Sequence, residues 1–138
     1  MIDAPIATSF VSETAHIGFA DAVDAAERLA GHTITAGQVH LEVGERVGEG
    51  LAGAVWFTGT LHTGWPLVRP IPVDVVIGPW SAGRAEIGLR PLSRLGSVSS
   101  LRSRRFYEAA WNVLPRLISA LAVRPLVARP RVELPAAA

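Results

Sequence analysis

The chain has 138 residues, 49% of them apolar, with thirteen Arg, no Lys and no Cys, and a net charge of +1. That length fits one domain of the common size of about 100–150 residues. The missing residue types exclude Schiff-base chemistry, a P-loop lysine, thiol nucleophiles, cysteinyl zinc sites and disulfides. The charge is unevenly spread. Met1 to Gly83 holds three Arg against nine acids, whereas Arg84 onward holds ten Arg against Glu86, Glu108 and Glu133. Either the two halves neutralise each other in the fold, or the second half presents a basic face to an anionic partner. Arg-only usage with abundant Ala and Gly suggests a bacterial source, and the lack of Cys is compatible with a cytoplasmic protein.

In chain order, Ile6 to Ile17 predicts one strand, with a bulge near Ser12 to reconcile its two facing patterns. Asp21 is expected to cap a short helix that Gly31 ends, with Val23, Ala26 and Leu29 as its apolar stripe and Asp24–Arg28 as a surface pair. Thr33 to Val43 alternates with period two. Val39, Leu41 and Val43 take one face, and Gln38, His40 and Glu42 the other. The Gly44–Gly50 stretch reads as a hairpin connection or flexible rim; its spacing, its acids and the absence of Lys exclude a phosphate loop.

Ala52 to His62 predicts the next strand, with Val55, Phe57 and Leu61 inward and Trp56, Thr58, Thr60 and His62 outward. The uncharged run from Gly50 to Val68 is broken by glycines and Pro66, so buried strands are expected in place of a membrane span. After a turn at Thr63–Pro66, Leu67 to Val73 carries Pro70 and Pro72, which cannot donate ladder bonds and suggest a sheet edge or a break. Val73 to Leu92 predicts a hairpin around Gly78–Gly83. Its register should bring Asp74 to Arg90 and away from Glu86. A polar link, Ser93–Ser100, leads into an amphipathic helix from Ser103 to Val123, whose face is Phe106, Ala110, Val113, Leu114, Leu117, Ile118 and Leu121. Pro115 removes one of its backbone bonds and should bend it. The Pro-rich segment 124–138 is expected to be an extended, mobile tail.

Little of this carries chemistry. His40, Glu42 and His62 share the outer face and could meet at a metal, but solvated polar positions explain them as well, so no metal site is assigned. Around Ser81 the surroundings of a nucleophile elbow are missing. Arg102, Arg104 and Arg105 sit where positive charge opposes the helix dipole, either solvated or holding an anion.

Strand, short helix, antiparallel strands, then one long helix carrying Phe106 to Leu121: this order resembles the helix-grip fold of the START and polyketide-cyclase-like (SRPBCC, Bet v 1-like) superfamily. The expected fold class is therefore α+β, a curved antiparallel sheet of five to seven strands with a short N-terminal helix and a long C-terminal helix across it, in a single domain over 1–123. The resemblance implies binding or transport of an apolar small molecule of the lipid, sterol or polyketide class between sheet and helix. The residues expected to line that space are Phe57, Leu61, Val75, Ile87, Phe106, Tyr107, Trp111, Leu114 and Ile118; the rival reading is that the same side chains pack as a filled core with no ligand. No catalytic residue, cofactor, nucleic-acid partner or transmembrane segment is expected. A cyclase or dehydratase is the alternative, and needs one of His16, His40, His62, Asp74 or Glu86 to point inward. A non-catalytic interaction module using the Arg-rich half is another.

Overall fold

The computed structural model describes residues 10–49, 53–92, 95 and 100–123. Its elements are β1 (Val11–Ala15), α1 (Phe19–Leu29), β2 (Thr33–Ala36), β3 (Val39–Glu49), β4 (Val55–His62), β5 (Ile71–Ser81), β6 (Arg84–Pro91) and α2 (Leu101–Ala122). The six strands form one curled antiparallel sheet in the order β1-β6-β5-β4-β3-β2. Both helices pack on one face of it, giving the expected α+β architecture, compatible with a helix grip. The expected tail, 124–138, lies outside the described residues, as do most of the Ser93–Ser100 link and Ile6 to Ser9.

Period-two alternation decides which face is covered. Val39, Leu41, Val43, Val55, Phe57, Leu61, Val73, Val75, Ile77, Ala85, Ile87 and Leu89 are all buried. They meet Ala22, Val23, Ala25 and Ala26 of α1 and Phe106, Val113, Leu114, Leu117 and Leu121 of α2 in one core. The small side chains of α1 let it lie close to the sheet. The apolar stripe of α2 has the three-and-four spacing that the sequence pattern requires.

Several local expectations are corrected. β1 pairs with β6 in unbroken register from Val11↔Leu89 to Ala15↔Ala85, so there is no bulge at Ser12. The register shifts fall instead in β3, between Val43 and Arg46 and between Arg46 and Gly48. Gly44–Glu49 is thus strand and not a connection. Each shift inserts an extra residue on β3 and increases its twist, which helps curl the sheet. At Gly44 a Cβ would collide with the Thr58 side chain of β4, so glycine permits this close approach. Thr33–Val43 is not one strand but two, reversed at Gly37-Gln38 where Gly37 has φ +64°.

Of the two readings of the proline-rich segment the break holds: residues 67–70, with Pro70, form a break between β4 and β5, while Ile71–Val73 begin β5 in the middle of the sheet and not at an edge. β5 tolerates Pro72 because that residue faces Leu92, one place beyond the end of β6. There its carbonyl accepts from the Leu92 N–H at 3.0 Å and only a terminal ladder bond is lost. The β5–β6 hairpin is longer than expected, turning at Ala82-Gly83 with a register shift between Pro79 and Ser81. As expected, Asp74 pairs with Arg90.

At the helix ends, Gly18 and not Asp21 is the N-cap of α1; Asp21 lies in its first turn. Among the described residues Asp24 and Arg28 form no ion pair. Instead Arg46 of β3 reaches Glu27 of α1 at 3.2 Å and Glu49 at 2.8 Å, exposed contacts that contribute little each. Ser100 caps α2, its hydroxyl accepting from the Ser103 N–H and donating to the Leu95 carbonyl. α2 runs through Pro115, which sits on its exposed face.

Candidate functional site

The structure brings together most of the residues expected to line a space between sheet and helix. Phe57, Leu61, Val75 and Ile87 rise from β4, β5 and β6, and Phe106 and Leu114 descend from α2; all six have 0% exposure. They therefore border no void that a water molecule could enter, and in this state side chains fill the interval at these positions. Tyr107 and Ile118 are partly buried against the margin of the same core, with the Phe106 and Tyr107 rings edge to face at 5.7 Å. Trp111 does not join them. It lies on the solvent side of α2, 47% exposed.

Among the described residues the inner face and the helix side that covers it carry no carboxylate, imidazole or guanidinium, and their one titratable group is the Tyr107 phenol at the margin of the core. The buried polar residues among those described are Thr63, Asp74 and Ser103, and of these Asp74 belongs to the opposite face. That follows from alternation, since Val73 and Val75 on either side of it point inward. Its carboxylate accepts from Arg90 at 2.8 Å, and the Arg90 guanidinium lies over the Trp56 ring at 5.5 Å. The other groups that could act as acid or base under α2 also lie away from it. His16 and His40 are exposed, His62 bonds Glu42 at 3.1 Å, and Glu86 accepts from the Ser12 hydroxyl at 2.9 Å.

Over β3 and β4 the outer face presents polar side chains to solvent. His40 and His62 are directly paired across β3 and β4, with Glu42 one step away and Thr35 at 3.2 Å from His40 Nδ1. Among the described residues no group of three or more metal-ligating side chains is arranged to hold an ion. Nearby, Glu42, Thr58, Thr60, His32 and the bulged backbone at Gly44 border an open groove of about 410 Å³.

A second surface feature lies at the turn expected near Thr63–Pro66, which extends through Leu67. The loop between β4 and β5 forms a turn closed by the Val68 N–H donating to the Trp65 carbonyl at 3.0 Å, with Pro66 and Leu67 at its tip. Trp65 is 44% and Leu67 83% exposed. The Pro66-Leu67 pair, placed in a turn and not in a strand, was the available signal of that exposure. Among the described residues no helix is long and apolar enough to cross a membrane. In comparisons with known proteins, no family model, no curated protein and no solved structure matches the chain.

Proposed function

We propose that this chain is a non-catalytic binding or transport protein for a hydrophobic small molecule of the lipid, sterol or polyketide class, taken up between the inner sheet face and α2. A place in the SRPBCC helix-grip superfamily and a cytoplasmic location are part of this proposal. The observation that carries it is the surface shared by the curled sheet and α2, which is aliphatic and aromatic and, among its described side chains, has no carboxylate or imidazole, the Tyr107 phenol at its margin being its one titratable group. Ligand pockets for apolar molecules have this lining. A reaction that moves protons would have to rely there on the Tyr107 phenol alone among the described side chains, without a carboxylate or imidazole to pair with it.

Because side chains fill the interval, uptake requires α2 to swing outward. Pro115 supplies a weak point, since it lacks the N–H that would bond the Trp111 carbonyl. Thermal unfolding should be followed with a fatty acid, a sterol and an aromatic polyketide in turn. At least one class should raise Tm in a concentration-dependent way, as any ligand that binds only the folded state must. Pro115→Ala restores the missing donor on an exposed face, and should raise Tm without ligand while slowing uptake several-fold. No response to any of the three classes would refute the proposal.

A further inference from the structure

The Trp65–Leu67 turn and the first turns of α2 form a single basic, apolar-tipped corner, and we infer that it docks this protein on the surface of an anionic lipid bilayer. The inference stands independently of the ligand proposal, because a protein with a permanently filled core could still bind membranes by this surface.

The corner is built and held in place. The Trp65 N–H donates to Thr63 Oγ1, the Val68 N–H closes the turn onto the Trp65 carbonyl, and the Val68 side chain, 9% exposed, anchors it in the core. Arg105 of α2 lays its guanidinium over the Trp65 ring, 3.5 Å from the centroid. Arg102 donates to the backbone carbonyls of Arg69 and Pro70 at 3.1 and 3.4 Å. These contacts fix Leu67 at the tip of a rigid turn, with Leu101, 37% exposed, on the adjoining helix end.

Charge selects the partner. Arg105 is neutralised by Glu108 at 2.6 Å, but Arg69, Arg102 and Arg104 have no carboxylate partner among the described residues. Uncompensated cations around a projecting Leu and an indole match the layers of an anionic membrane. Guanidinium groups meet lipid phosphates, the indole sits at the headgroup level and the Leu side chain reaches the acyl boundary. A nucleic acid fits less well, because one face of Trp65 is already covered by Arg105 and an exposed aliphatic tip finds no partner on a phosphate backbone.

The full-length protein should be sedimented with vesicles of phosphatidylcholine alone and of phosphatidylcholine mixed with phosphatidylglycerol. Binding is expected only with the anionic lipid, and should weaken as salt is raised. Leu67→Asp should reduce it about tenfold or more, from lost apolar burial. The double variant Arg69→Ala, Arg104→Ala should lose about fivefold per arginine. All three positions are exposed, so these variants fold. Failure to bind anionic vesicles would overturn the inference. So would binding that survives both variants, which would place the contact elsewhere on the chain, or equal binding to single-stranded DNA that ignores Leu67→Asp.

Discussion

Phe106→Ala is expected to lower the unfolding free energy by about 3–5 kcal/mol. Phe106 is the largest side chain α2 contributes to the core, and it has 0% exposure. Its removal deletes apolar contacts and leaves a void, which the sheet can close only partly because Phe57, Val75 and Ile87 are held in register by strands on both sides. Urea denaturation checks the effect as a fall in midpoint with unchanged slope. The same variant bears on function. If the space under α2 accepts apolar molecules, a small aromatic solute should recover part of the lost stability, as dry apolar cavities bind such molecules. The wild type, with that volume filled, should respond less to the same solute.

Gly64→Ala should destabilise by about 1–3 kcal/mol. Gly64 has φ +85°, a conformation that side chains resist, and a Cβ there would come within 2.9 Å of the Gln38 backbone carbonyl oxygen. Two penalties therefore act together. Gly31 separates them, since its φ is +87° but a Cβ would meet open space. Gly31→Ala should thus cost only the backbone part, about 1–2 kcal/mol. Equal losses at the two sites would show that the contact with the β2–β3 turn contributes nothing. Gly64 also precedes the Trp65–Leu67 turn, so its variant should weaken vesicle binding more than Gly31→Ala does.

Most of the fold was legible in residues whose environment is set by periodicity. The alternation of β3 to β6 identified the buried face, and the spacing from Phe106 to Leu121 identified the covering helix. The Asp74↔Arg90 register followed from avoiding like charges. What was not legible depended on neighbours distant in sequence. Pro72 reads as an edge residue until Leu92 is seen to end the adjacent ladder. Gly44 and Gly48 read as a loop until Thr58 and Trp56 are seen beside them across the bulged strands. Trp111, as a large aromatic of the long helix, reads as a lining residue of the space under α2. Its helical angle places it with Arg104, Glu108 and Pro115 on the exposed side. The Trp65–Leu67 corner escaped because its basic residues come from Arg69 and from the start of α2, which only the folded chain brings together.

The proposed binding of an apolar molecule is tested most directly by native mass spectrometry of the full-length protein purified without detergent. A population heavier than the 14.6 kDa chain is expected, with a discrete added mass that organic extraction removes and identifies as lipid, sterol or polyketide. A single peak at the bare polypeptide mass, unchanged after incubation with excess members of all three classes, would contradict it and leave α2 as the cover of a closed core.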